Sequence, residues 1–263
     1  MPELPEVETV VRSIAPHVRG QLILRAEVRS HRVTRQDFRQ TEAGLTGATI
    51  LDVNRHGKQI HIELDRGALY VHLGMTGKLL WNAAEDKFTR AVLELANGTL
   101  QYNDIRQFGR FEYFTAIPDH IAAKGPDALT VDFATFYARL KRHRGSIKSV
   151  LLNQSVVAGI GNIYADEILF ASAVHPRAIA SRISPVRARR IHAHTLEILS
   201  AAVQMRGSSI SDYVDSAGEK GTFQNAHQVY GRAGELCNRC GTAIRRIVLA
   251  QRGTHYCPHC QRV

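Results

Sequence analysis

No cysteine precedes position 237, and the four in the chain all fall within its last 27 residues. Long apolar runs are missing as well. No stretch approaches the roughly 18–20 residues that a membrane span needs, and the opening MPELPEVETV lacks the apolar core of a signal peptide. The expectation is a soluble protein of the cell interior. Internal repeats and low-complexity tracts are absent. At 44% hydrophobic and 22% charged residues, the composition excludes wholesale disorder and collagen-like repeats. Acidic residues are the minority sign, 24 against 34 lysines and arginines, leaving a formal net charge of +10 over 263 residues. That excess points to a polyanionic partner and carries no information about fold. The length suffices for one large domain or two smaller ones, each with a real core.

The cysteines that are present have a pattern. Cys237-Asn-Arg-Cys240 and Cys257-Pro-His-Cys260 are C-x2-C pairs separated by sixteen residues, the spacing of a structural zinc site. Four thiolates close a tetrahedron and leave no position for a catalytic water. Two disulfides, as in a small secreted domain, are the alternative, which a reducing compartment disfavours. Residues 245–250 followed by Arg252-Gly253-Thr254 read as a β-hairpin tip held by the metal, in a module too small to bury its own core.

Along the chain the periodicity changes once. Residues 1–115 are strand-rich after one helix. Ile60, Ile62 and Leu64 alternate with polar residues, Asp65-Arg66-Gly67 turns, and Leu69, Val71 and Leu73 continue with a period of two. Asn97-Gly98, between two further alternating runs, signals a two-residue hairpin, and residues 110–114 form another short strand. An antiparallel sandwich or barrel is expected. Residues 116–131 read as a linker. Beyond them, Asp132 can cap a helix through Lys141. Ser184-Pro185 opens a long helix that stops near Gly207, with Ile191, Leu196, Ile198, Leu199 and Val203 as its apolar stripe and Arg187, Arg189 and Arg190 outside. The expected layout is α+β and multidomain: a β domain over 1–115, the linker, a helical domain over 132–227 and a zinc finger over 228–263.

The first residues carry a chemical possibility. Pro5 suits the first turn of a helix, and Glu6 and Glu8 complement its dipole. Neither explains Pro2. A small residue after the initiator Met normally permits Met removal, which would free the proline ring nitrogen as a secondary amine. An α-amino group titrates near ~8 against about 10.4 for lysine, so its free-base fraction at neutral pH is far larger. Its attack on a sugar C1′ gives a cationic iminium, an electron sink that favours loss of the C3′ phosphate. Glu3 is the adjacent carboxylate that can give or take the proton.

PELPEVETV, HGK at 56–58, HLGMTG at 72–77, AGIGNIYADE at 158–167, QVYGR at 228–232 and the CxxC ribbon with QRGTHYC occur in that order. In combination, and over essentially the whole chain, they resemble the bacterial formamidopyrimidine-DNA glycosylases. The resemblance implies a β-sandwich with flanking helices, a helix–two-turn–helix domain and a zinc ribbon. It implies a monomeric base-excision enzyme of the bacterial cytoplasm and nucleoid. Such an enzyme excises oxidised purines, 8-oxoguanine and formamidopyrimidines, from duplex DNA and nicks abasic sites by β,δ-elimination. Pro2 matches the Schiff-base nucleophile, Glu3 the general acid, Lys58 the lysine of the elimination stage, and Arg252 the arginine of δ-elimination and phosphate clamping. Arginine is a poor acid, with a pKa above ~12, so an electrostatic and positional task is expected of Arg252. Without the resemblance, Lys58 reads as a solvated residue before a strand.

A base is removed only after its nucleotide leaves the stack, which costs a few kcal/mol. Met75, Arg106 and Phe108 match the residues that fill the resulting void, as base substitute, partner-base ligand and wedge. Met75 or Phe108 taken alone reads more readily as core; the three residues together, in matching loops, favour function. Lys148 and Asn162 match phosphate-binding positions, and His72 and His143 are weaker phosphate candidates. Gly159-Ile-Gly161-Asn162 opens a helix whose N–H groups can face a phosphate. The 141–148 basic run can also be a solvated face. Residues 215–225 correspond to a lesion-recognition loop, with Gly218 and Gly221 suited to mobility. One departure from the pattern is Phe88, where relatives commonly carry a DNA-contacting histidine; either Arg90 supplies the missing contact or that phosphate is gripped less tightly. Two other readings remain open, an endonuclease VIII-like enzyme for oxidised pyrimidines and a zinc-ribbon DNA-binding protein without catalysis. Leu4 after Pro-Glu and the intact Met75/Arg106/Phe108 set favour the purine enzyme over the first.

Overall fold

Apolar residues at helical spacing from Leu4 to Val18 give α1 (Leu4–Val18) one fully buried face: Leu4, Val7, Val10, Val11, Ile14 and Val18. The computed structural model describes residues 1–210 and 213–262. After α1 come β1 (Ile23–Val28), α2 (Phe38–Leu45), β2 (Ile50–His56), β3 (Gln59–Leu64), β4 (Ala68–His72), β5 (Gly77–Trp81), β6 (Thr89–Leu95), β7 (Gly98–Asp104) and β8 (Arg110–Phe114). They form two four-stranded antiparallel sheets, ordered β1-β6-β7-β5 and β2-β3-β4-β8. One apolar cluster joins the inner residues of both sheets to α1, with Ile60, Ile62, Leu69 and Val71 from one sheet and Leu79, Leu93 and Tyr102 from the other. This is the sandwich option, not the barrel.

The β6–β7 hairpin differs from its sequence signal by one residue. Leu95 pairs with Gly98, so the tip is Ala96-Asn97 and Gly98 already lies in the strand. The glycine is needed for close approach: a Cβ there would fall 2.3 Å from the Asn82 carboxamide and 2.7 Å from the Trp81 ring.

The chain divides into two compact units, Met1–Ala122 with Met205–Gln224, and Ala123–Gln204 with Asn225–Val263. The expected linker does not run as a single connector. α3 (Asp119–Ala122) belongs to the first unit, whereas Ala128 is buried in the second and pairs through its N–H with the Ala158 carbonyl. Met205–Gln224, placed by sequence in the helical domain, packs with the first unit because its polar backbone groups find their partners there. The Ser208 N–H bonds Glu6, and the Ser216 carbonyl accepts from the Trp81 N–H.

In the second unit, Asp132 caps α4 (Phe133–Lys141), accepting from the Thr135 N–H. α5 (Ile147–Leu152), α6 (Asn162–Ala171) and α7 (Pro185–Gln204) follow. The buried face of α7 is Ala188, Ile191, Thr195, Leu199, Ala202 and Val203. Leu196 and Ile198 are only half-buried, and Thr195 takes a core position because its hydroxyl bonds the Ile191 carbonyl. β9 (Arg245–Leu249) and β10 (Arg252–Tyr256) pair as the expected hairpin. Among the described residues, no helix is long and apolar enough to cross a membrane.

Candidate functional site

At the head of α1, Pro2 is buried and Glu3 is 3% exposed. The Glu3 N–H donates to Glu6 Oε2 at 2.8 Å, while Glu6 Oε1 accepts from the Ser208 N–H at 2.7 Å. A glutamate three residues after the N-cap is a capping-box signal. The dipole argument from sequence missed that this carboxylate also anchors the returning Met205–Gln224 segment. The Tyr213 hydroxyl adds a bond to the Glu6 carbonyl at 3.2 Å. Burial, reinforced by the charge on Glu6, pushes the Tyr213 hydroxyl well above the usual tyrosine value, so it stays a donor. Gly207 has φ +77, and a Cβ there would lie 2.6 Å from Glu6 Oε1.

Lys58 occupies the two-residue turn between β2 and β3, yet it is only 6% exposed. The solvated reading is therefore excluded. Its turn is braced by Arg55, unassigned from the sequence, which donates to the Gly57 carbonyl and to Glu8 on α1.

Met75 and Phe108 are 41% and 56% exposed, so neither is core. The turn of the first and the loop of the second are organised by one buried carboxylate, Asp104. Its Oδ1 accepts from the Thr76 hydroxyl at 2.6 Å, and its Oδ2 from the Gly109 N–H at 2.9 Å. Thr76 in turn accepts from the Arg106 N–H at 3.0 Å. The Arg106 guanidinium lies 4.7 Å from the Phe108 ring centroid. His72 closes the end of β4, its Nδ1 accepting from the Gly74 N–H. Arg90 does not project as a replacement for the missing histidine. It donates to the carbonyls of Asp104 and Lys87 and lies over Phe88, bracing the same loop.

The 215–225 stretch contains a closed turn. Asp215 Oδ1 accepts from the N–H groups of Ala217 and Glu219, and its other oxygen pairs with Arg206. Gly221 is fixed by contact: a Cβ there would sit 2.3 Å from the carbonyl oxygens of Arg206 and Gly207.

In the second unit, Lys148 departs from its expected role. Its ammonium is 0% exposed and bonds Asp166 Oδ1 at 2.7 Å, Thr254 Oγ1 at 2.9 Å and the Gly253 carbonyl at 3.1 Å. All three donor positions are taken by protein, so it is no surface grip for a phosphate. Asn162, first residue of α6, donates to the same Gly253 carbonyl at 3.0 Å, and its buried Oδ1 lacks a partner. Asp166, which the sequence left without a role, completes the network by accepting from the His255 N–H at 2.8 Å. These bonds fix the hairpin whose tip presents exposed Arg252. Ala250 and Gln251 form that tip at φ +50 and +58, a left-handed conformation costing non-glycine residues about 1 kcal/mol or more each. His143 is half-buried, and its carbonyl accepts from the Ser181 N–H.

The four cysteine Sγ atoms lie within 4.8 Å of one another, with Cys237–Cys260 at 3.9 Å and Cys240–Cys257 at 3.5 Å. A zinc tetrahedron with bonds of about 2.3 Å has sulfur–sulfur edges of roughly 3.8 Å, and a disulfide needs about 2.05 Å. The donor set fits one structural zinc. The ribbon also shares a core with Phe170 of α6 through Val229, Ile244, Cys237 and Cys257.

The chain matches the family models for the formamidopyrimidine-DNA glycosylase N-terminal domain over residues 1–111 and H2TH domain over 123–214. It also matches the zinc finger found in FPG and IleRS over 234–263. It is 50% identical to the formamidopyrimidine-DNA glycosylase of Solibacter usitatus, with both chains covered completely. The protein belongs to the formamidopyrimidine-DNA glycosylase family. The family member from Carboxydothermus hydrogenoformans is 40% identical, again over the full length of both. Lactococcus lactis Fpg, solved as a point mutant with DNA containing Fapy-dG and also with DNA containing an abasic site, aligns over 100% of both chains. The TM-score is 0.91 and the identity 37%. The fold, the zinc site and the family are thus consistent over the whole glycosylase chain.

Proposed function

We propose that this protein is a base-excision glycosylase and AP lyase that removes oxidised purines from duplex DNA in the bacterial cytoplasm, acting as a monomer. With Met1 removed, the Pro2 amine attacks C1′ and the base departs with the electrons of the N-glycosidic bond. The amine loses its proton, Glu3 protonates the ring oxygen, and the opened sugar is held as an iminium. Loss of a C2′ proton then sends electrons into the iminium and expels the 3′ phosphate. A second proton loss expels the 5′ phosphate, and water releases the sugar remnant from Pro2. Lys58 serves the elimination stage, and Arg252 holds phosphate by charge and geometry. Met75, Phe108 and Arg106 occupy the vacated stack, and Asn162, His72 and His143 contribute backbone contacts. Zinc held by Cys237, Cys240, Cys257 and Cys260 keeps the Arg252 hairpin folded and has no open position for chemistry.

One observation carries this reading: Pro2 is buried beside Glu3, whose backbone is fixed on Glu6, so an amine there is preorganised. Borohydride trapping on an 8-oxoguanine duplex is the test. The expected result is a covalent adduct mapping to Pro2, absent from Pro2→Gly, which keeps its zinc. An adduct on a lysine, or full excision and nicking by protein that retains Met1, would overturn it.

A further inference from the structure

Phe133 and Tyr137, one turn apart on α4, stack with centroids 5.7 Å apart and planes 12° from parallel. Each ring carries a cation. The Arg189 guanidinium of α7 lies 4.1 Å from the Phe133 centroid, and the Lys141 ammonium 5.7 Å from that of Tyr137. Lys141 also donates to the Ser181 carbonyl. Ser181 lines an open cavity of about 480 Å³ with Ile179, Arg144 and Arg182. Backbone bonds from Ala180 to Gly145 and from Ser181 to His143 hold the two walls of that cavity together. Lys141, Arg144, Arg182 and Arg189 are all exposed. Among the described residues, Lys148 pairs with Asp166 and Arg232 with Glu235 in this unit, His194 and His255 bond Glu197 and Asp166, and none of these contacts involves the four cations.

The result is a basic stripe in which Lys141 and Arg189 are ordered by aromatic contacts, and none of the four cations is neutralised by a carboxylate among the described residues. Ordering those two in advance lowers the entropic cost of engaging an anion. The rings are occupied by each other and by cations, so the stripe offers N–H edges, which suit phosphates, and not ring faces, which would suit unstacked bases. Its four cations make none of the bonds of the Lys148–Asn162–Gly253 network among α5, α6 and β10.

We propose that this stripe is a second DNA-backbone site, which takes an undamaged duplex segment while lesion DNA occupies the site described above. The proposal rests on the repair reading and adds to it a route for passing between DNA segments. The full-length zinc protein is saturated with a duplex carrying a tetrahydrofuran residue, and a short labelled undamaged duplex is then titrated by fluorescence anisotropy. A second equivalent should bind. In Lys141→Gln/Arg189→Gln the logarithmic salt slope of that second binding should fall by about two, while single-turnover cutting of a short 8-oxoguanine duplex stays unchanged. Absence of the second equivalent, or an unaltered slope in the variant, would overturn the proposal. Equal or tighter binding of oligothymidine or polyglutamate there would reassign the surface to single strands or acidic proteins and refute it too. Failure to cut the 8-oxoguanine duplex would strike the repair reading instead, and the stoichiometry would still report on the stripe.

Discussion

Glu8 on α1 accepts from Arg55 Nε on β2 at 2.8 Å, and the same guanidinium donates to the Gly57 carbonyl at 2.8 Å. The helix that begins just after Pro2 is thereby tied to the turn that carries Lys58. A single arginine links the two groups assigned to attack and to elimination.

Glu8→Gln should therefore weaken both stability and nicking. Burial pushes the Glu8 carboxyl up, but hydrogen bonds from Arg55 and Arg12 overcome this and leave it below its ordinary value. A lowered folded pKa gives stabilisation that is present above the unfolded value near ~4.3 and lost as pH falls through the folded one. Urea unfolding should show a deficit of about 1–2 kcal/mol at neutral pH, closing below about pH 4. A deficit of equal size at both pH values would rule out the ion pair as its source.

Lys148→Met should leave Asp166 as a buried charge without its lysine partner, held only by His255, costing about 3–5 kcal/mol. Adding Asp166→Leu should restore much of that loss, because both charges then leave the interior together. A double-mutant cycle in urea measures the coupling. If Lys148→Met lowered DNA affinity with no change in unfolding, the ammonium would be a phosphate ligand after all.

Met75→Ala and Phe108→Ala remove exposed side chains, so unfolding free energy should stay within about 0.5 kcal/mol of the parent. Excision from an intact 8-oxoguanine pair should fall at least tenfold. Nicking of a preformed abasic site, which has no base to evert, should fall less. Equal losses on both substrates would contradict a void-filling role.

Cys240→Ser should release zinc and disorganise the hairpin that presents Arg252. Elemental analysis should show the metal gone, and anisotropy should show weakened DNA binding. Metal-free protein that bound DNA as tightly as the parent would separate the ribbon from recognition.

Much of the molecule was readable because its signals are local. The C-x2-C spacing reports a zinc ribbon, since the ligands are separated by only a hairpin. The Ile60–Leu73 alternation reports β3 and β4, and Asp132 reports the start of α4. Other features had no local signal. β1 and β5 are formed by residues whose pairing partners, in β6 and β7, lie far along the chain. Gly98 reports the close approach of Asn82 and Trp81, which leaves no room for a side chain, and not a turn position.

Sequence alone determined which residue types the chain brings: a proline at position 2 beside a carboxylate, four cysteines at the spacing of a metal site and an excess of cations. Those depend only on residue identity and short spacing. Tertiary structure decided which charges reach solvent. It turned Lys148 from a phosphate candidate into an internal strut, buried Lys58 at a hairpin tip, and set Met205–Gln224 against α1 through Glu6. The physical reason is that desolvating a charge is tolerable only where partners from remote segments converge on it, and no neighbouring residue reports that convergence.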